Sequence, residues 1–251
     1  MGGAERNARK KKQEQLAAAK AVTSARGGSD RNKVLIGIAA VVVLALVVVG
    51  GVIWSKSGSD EALSPPSGIT SISVPIKRDN AVVVVGKDDA KATIDVYEDF
   101  ICPACGSFEA AYKEQIKKEI EGGSLRVRYH PLPFLVKFSD PPGYSANAAN
   151  AALCATDEGK FWEYHETLFA KQPKENSAGY TKDELVKLGT DLGITGETFK
   201  TCVQSGTYDS AAQSEMDAVR GKDFFQGTPA VVSGTQTLTW NDPDWLTNLV
   251  K

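Results

Sequence analysis

The sequence predicts an α/β domain whose sheet is interrupted by a long helical block, held behind one N-terminal transmembrane helix. Three observations carry this. β-Type residues lead directly into helical periodicity around Tyr97–Phe108. From Pro141 to Gly221 the pattern is helical only, before strand character returns at Pro229. Val34–Trp54 is a run of 21 residues without a charge.

At 251 residues, with 24% charged and 42% hydrophobic composition, the chain has room for one sizeable domain and its appendages. Its net charge of −2 hides an asymmetry. Residues 1–33 carry nine Lys or Arg against Glu5, Glu14 and Asp30, so a net +6 there leaves −8 for the remainder. At about 1.5 Å per residue the uncharged run crosses a hydrocarbon core of about 30 Å. The positive-inside rule keeps the basic tail 1–33 cytoplasmic, and Trp54 with Lys56 suits the outer interface. A cleaved signal peptide is the competing reading. It fits less well, because the apolar run exceeds the usual length of about 7 to 15 residues, the tail before it is long, and no small-x-small site follows. The expected location is therefore the cell membrane, single-pass, with the acidic C-terminal part extracytoplasmic. The tail itself reads as a solvated topology signal, contact with anionic headgroups being the alternative.

Residues 55–77 open with SKSGSDEALSPPSG, the composition of an exposed spacer. Ile69–Ile76 and Ala81–Val85 are short β-type runs, the second being the better first strand. Thr93, Ile94, Val96 and Tyr97 then favour a buried strand. Phe108, Ala111, Tyr112, Ile116 and Ile120 recur on one helical face, which Gly122 and Gly123 end. Leu125, Val127 and Tyr129 alternate with Arg126, Arg128 and His130, the pattern of a strand stopped by Pro131 and Pro133.

The helical block begins with an Ala-rich helix from about Ser145, a candidate cap, through Cys154. Phe161, Tyr164 and Leu168 mark the next face. Thr181 with Glu184 is a capping-box pattern leading into Leu185, Leu188 and Leu192. Phe199 with Val203, and Ala212 with Met216 and Val219, indicate two more helices. Strands follow at Pro229–Val232 and Gln236–Trp240, with Ser233-Gly234 between them. A last helix begins at Asp242-Pro243 and packs Trp245, Leu246 and Leu249.

The chemistry lies in Cys102-Pro103-Ala104-Cys105, where strand passes into helix. Unpaired N–H groups and the helix dipole favour thiolate at the first helical turn, which makes Cys102 the nucleophile. Cys105, one turn further in, lies beneath it and is less exposed. Pro103 fits the first turn, where its missing N–H has no helical partner anyway. Cys102 and Cys105 would also serve as half of a zinc site, but Cys154 and Cys202 are not a second Cys-x-x-Cys. Those two read instead as a structural disulfide, as is usual for an exported domain with an even cysteine count, with two buried thiols as the alternative. His130 and His165 are too few for a histidine-based metal centre; His130 reads as polar lining and His165 as a surface or satisfied structural residue. No metal site and no cofactor beyond the dithiol is expected. Phe224, Phe225 and Trp240 are core or groove wall. No phosphate loop or nucleotide fingerprint occurs, and the acidic ectodomain argues against nucleic acid.

The order of strand, Cys-x-x-Cys helix, strand, helical block, then Gly227-Thr228-Pro229 before a hairpin resembles the DsbA-like branch of the thioredoxin superfamily, over roughly residues 78–251. YEDFICPAC looks like the motif of membrane-anchored, actinobacterial members, and RYHPLPF resembles the strand that follows in DsbA relatives. The resemblance implies a thioredoxin fold with a helical insertion at about 141–221. It implies a cis bond before Pro229, and a substrate peptide held by Pro103, Ala104, Thr228 and Pro229. It also implies the partners: unfolded or reduced exported proteins, and a membrane quinone-linked reoxidant of the DsbB or vitamin K epoxide reductase-like type.

Two departures matter. Relatives often carry a buried acid six residues before the first cysteine; here Val96 stands there, leaving Glu98, Asp99 or water as possible proton acceptor. Ala104 replaces the histidine of DsbA, which removes a donor to the thiolate and points to a weaker oxidant. DsbA and thioredoxin differ by roughly 150 mV, about 7 kcal/mol for two electrons, so this pair of residues can decide direction. Thr228 before the proline is seen in reducing and isomerising relatives. The function expected is introduction of disulfides into exported proteins. A reductase or isomerase on the same fold is the first alternative, and a non-catalytic peptide-binding ectodomain the second.

Overall fold

The computed structural model describes residues 63–251. The expected tail (1–33), span (34–54) and first part of the spacer (55–62) lie outside the described residues. Within the described residues no helix is long and apolar enough to cross a membrane.

Six strands form one sheet in the order β1-β2-β4-β3-β5-β6. The hairpin of β1 (Ile76–Asp79) and β2 (Val82–Val85) turns through Asn80 at φ 54, in the left-handed region that asparagine tolerates. Strand β3 (Ala92–Glu98) runs parallel to β4 (Leu125–Pro131), Val96 opposite Tyr129, and α1 (Pro103–Glu121) makes the crossover between them. β5 (Ala230–Ser233) adds antiparallel to β3, and β6 (Gln236–Thr237) to β5. β6 is shorter than the Gln236–Trp240 run expected; beyond it Trp240 meets Phe108 of α1 edge to face, ring centroids 5.8 Å apart. The C-terminal end of β3 thus lies at the middle of the sheet, where α1 starts, the usual place for chemistry in an α/β layer.

α1 buries Cys105, Phe108, Glu109, Ile116 and Ile120, with Tyr112 half-buried. Ala111, assigned to the inner face by periodicity, is exposed, and the acidic Glu109 is buried in the core. The stripe is turned toward Cys105 so that both cysteines meet. Trp245 of α7 (Trp245–Leu249) packs on Phe108 and Tyr112 at 6.1 and 5.5 Å and fixes the far side of the helix.

Between β4 and β5 lie α2 (Tyr144–Asp157), α3 (Phe161–Ala170), α4 (Lys182–Asp191), α5 (Glu197–Ser205) and α6 (Asp209–Val219). The capping box opening α4 is present, Thr181 and Glu184 each satisfying the other's backbone N–H. Gly189 lets α4 close on α5, since a Cβ there would meet the buried Phe199 ring at 2.1 Å. Ser145 does not cap α2. Gly143 holds that position, and the Ser145 hydroxyl donates to Asp99 at 2.5 Å.

The spacer reading also changes at its end. Leu63 is buried in the core, Ile72 and Val74 pack against it, and Lys117 bonds to Thr70. Residues 63–75 therefore pack on the domain, although they form no strand.

Cys154 of α2 and Cys202 of α5 are joined, with Cα atoms 6.0 Å apart and a sequence separation of 48. Closing a loop of that length contributes about 3 to 4 kcal/mol in the chain-entropy model. Changing both to alanine should lower the thermal midpoint by about 10 °C for a domain of this size. The alkylation rate of Cys102 should stay unchanged; an equal loss of both would show that the bridge shapes the site.

Candidate active site

Cys102 is the N-cap residue of α1 and Pro103 its first helical residue, so no side chain caps the helix. The N–H groups left free at this end face the Cys102 sulfur. That sulfur lies 3.2 Å from the carbonyl oxygen of Thr228, which accepts from the thiol form. The thiol is held down to about 6, first by the hydrogen bond from the Cys105 thiol; burial opposes this, and donors on Thr228 and the Cys105 and Ala104 backbone add to it. The Thr228 hydroxyl that adds to this effect is buried and holds no hydrogen bond among the described residues while Cys102 is a thiol. Cys105 is fully buried and moves the opposite way: burial, its bond to Cys102 and the charge of Glu98 push its thiol well above the ordinary value. One cysteine is thus a thiolate at neutral pH and the other holds its proton.

The Thr228-Pro229 peptide is cis, as the resemblance implied, and brings this loop against Cys102. Pro103 and Ala104 are exposed beside it. Ala104, Thr228 and Pro229 line a groove of about 430 Å³ whose walls include Phe224, Leu238 and Trp240. Phe225 is buried instead, against Tyr97 and Phe134. On the other side, Gln172, following α3, donates to the Cys102 carbonyl oxygen at 2.9 Å and ties the helical block to the nucleophile's backbone.

The two possible proton acceptors differ in their surroundings. Asp99 has both oxygens occupied: Ile101 N–H donates to one at 3.0 Å, and Leu135 N–H and the Ser145 hydroxyl to the other. It closes the loop between β3 and α1, with burial pushing it up to about 6. Glu98, also fully buried, is the carboxylate whose charge Cys105 feels. One of its oxygens accepts from His165 Nε2 at 2.6 Å, and the other has no partner among the described residues.

Two residues here were not foreseen. His165 is fully buried, which excludes the surface reading and leaves the structural one, and Glu109 joins it; with Glu98 their polar atoms lie within 4.8 Å of one another. The 2.6 Å Glu98–His165 contact is closer than the roughly 3 Å that separates two ligands of one ion, so these two share a proton. His130, read as polar lining, is instead bonded to Asp95 and Glu215 at 2.8 Å each.

A helix-start dithiol with one activated and one suppressed sulfur, beside a cis-proline loop and an open groove, defines the class of thiol–disulfide oxidoreductases. The chain belongs to the thioredoxin family, whose model matches residues 78–251. Disulfide bond formation protein D of Bacillus subtilis is 30% identical over 150 residues, 59% of this chain and 65% of that protein. DsbA from Mycobacterium tuberculosis, solved in its reduced form, superposes with TM-score 0.59 at 26% identity, covering 68% of this chain and 91% of that one. The serine/threonine-protein kinase PknE of Mycobacterium tuberculosis is 32% identical over 207 residues, 78% of this chain; the chain spans only 36% of the kinase's length.

Proposed function

We propose that this protein is an outward-facing, membrane-anchored thiol–disulfide oxidoreductase that introduces disulfides into exported proteins, with residues 34–54 as its anchor. The observation that carries the reading is the opposed state of the two sulfurs: Cys102 lowered to about 6 against Thr228, and Cys105 raised by burial beneath it.

In the oxidised protein, a substrate thiolate attacks the Cys102 sulfur and the Cys102–Cys105 bond breaks. The electron pair passes to Cys105, which takes up a proton. The substrate's second thiolate then attacks the mixed disulfide, leaving with its own disulfide formed, and Cys102 departs as the stabilised thiolate. Two electrons have moved from substrate to the pair. The substrate strand lies along Thr228-Pro229, with Pro103 and Ala104 flanking it, so backbone recognition leaves sequence largely unread. Glu98 is the proton partner of Cys105. A quinone-linked membrane protein of the DsbB or vitamin K epoxide reductase-like type removes the electrons, and anchoring in one membrane raises the effective concentration of the two.

The reduction potential tests this. A Cys102 value of about 6 lies between those of thioredoxin and DsbA, roughly 7 and 3.5. The potential expected from glutathione equilibration is likewise between roughly −270 and −120 mV. A thioredoxin-like value would reject the oxidase and favour the reductase or isomerase that Thr228 admits.

A further inference from the structure

We propose that Glu98, His165 and Glu109 form a buried proton relay for Cys105, which reaches solvent through a back cleft at Lys113 and Glu166 and not through the substrate groove. The proposal rests on the redox reading above and adds the route by which the Cys105 proton moves.

Four elements supply the groups that face one another: Glu98 from β3, Tyr129 from β4, Cys105, Glu109 and Lys113 from α1, and His165 and Glu166 from α3. Tyr129, Phe161 and Phe169 surround the His165 ring at 4.9, 5.2 and 4.9 Å, an apolar shell that leaves its polar atoms nowhere to turn but inward. Glu98 Oε2, Glu109 Oε1, His165 Nδ1 and Glu166 Oε1 are all buried and without a hydrogen-bond partner among the described residues. Unpaired buried polar atoms are costly, so four together mark groups that exchange protons or water.

The way out is next to them. A cleft of about 210 Å³ is lined by Gly106, Glu109, Lys113, Glu166 and Phe169, and shares no lining residue with the groove. Lys113 and Glu166 pair at 2.9 Å at its wall, the lysine one-third exposed and the glutamate buried. The cleft admits several waters, which bridge separations too long for direct hydrogen bonds.

The charges match the task. Burial pushes Glu109 up to about 8, so it holds a proton at neutral pH. Burial works against the charge on His165, but Glu98, Glu109 and Glu166 together push it up to about 9. When the pair is reduced, Cys105 leaves Cys102 as a thiolate and takes one proton from His165 through Glu98; Glu109 refills the relay from the cleft. On reoxidation, the relay accepts that proton as Cys105 attacks the mixed disulfide, and the cleft releases it. A separate exit lets the proton move while a bound peptide covers the groove.

The test follows resolution of the mixed disulfide in the full-length protein. Reduced protein is mixed with oxidised glutathione, acid-quenched, and the glutathionylated form followed from about pH 5.5 to about pH 9. E109Q and H165Q are each expected to slow resolution at least about tenfold at neutral pH, with recovery as pH rises. Alkylation of Cys102 should keep its rate and its midpoint. Folded variants that resolve at the wild-type rate throughout would overturn the relay, as would an equal slowing of Cys102 alkylation. If H165Q does not fold, the K113M/E166Q double variant at the cleft decides: slowed resolution supports the route, and unchanged resolution rejects it. Direction is read separately. A thioredoxin-like potential with slowed variants rejects the oxidase and keeps the relay; an oxidising potential with unaffected variants rejects the relay alone.

Discussion

Cys102→Ser should reduce thiol–disulfide exchange to background, a loss of at least about a thousandfold, because a serine hydroxyl is not ionised at neutral pH. Cys105→Ser should behave differently. Its Cys102 is still at the start of α1 and still faces the Thr228 carbonyl, so it reacts once and stays trapped as a mixed disulfide. Oxidation of a reduced two-cysteine peptide measures the first effect, and intact-mass analysis the second. Alkylation of Cys102 should rise as pH passes through about 6 and level off above it, since the folded reduced state favours the thiolate. The linkage has the same sign: a depressed value stabilises the reduced fold above the unfolded thiol's range, and this is lost as pH falls through about 6. The oxidised form has no thiolate to gain it. Full turnover by Cys102→Ser would end the assignment of the nucleophile.

Cys102, Cys105, Thr228 and Pro229 were legible in the sequence because their signals are local: a dithiol at a strand-to-helix junction, and a Thr-Pro before a hairpin. The helical block was legible for the same reason, each helix carrying its own periodicity and Thr181-x-x-Glu184 its own cap. Glu109 and His165 were not. A carboxylate on a helix counts toward the solvent face in any pattern argument, and nothing nearby in sequence shows that α3 brings His165 to it. The one available signal was spacing, since Glu109 stands one turn beyond Cys105 and must share its face. Ser145 misled for a related reason. A serine at a helix start reads as a cap, while the Asp99 that takes its hydroxyl belongs to a loop far back in the chain.

His130 shows how such a distant pair governs stability. Its two ring nitrogens lie 2.8 Å from Asp95 of β3 and Glu215 of α6, with Tyr97 stacked on the ring at 4.1 Å. A neutral imidazole has one N–H and cannot donate to both carboxylates, so this geometry requires the cation. Burial opposes that charge, but Asp95 and Glu215 outweigh it and raise the value above the ordinary one. Arg128 of β4, 3.0 Å from Asp95, is the other charge in contact, and Tyr97, pushed up to about 12, does not titrate here. A raised folded value means the contribution is complete below about pH 6.5 and is lost as pH climbs through the folded value. His130→Leu should therefore cost about 3 kcal/mol near pH 6, the low end for removing one partner of a buried ion pair, because Arg128 still holds Asp95. Between about pH 6 and about pH 8.5 the wild type should lose stability while the variant changes less, so the gap narrows; the window ends below the value of about 9 at His165 to keep the two histidines apart. Urea unfolding at both ends of that range measures it. A gap of the same size at each end would mean that His130 acts through packing on Tyr97, and that the charge joining the helical block to the sheet contributes nothing.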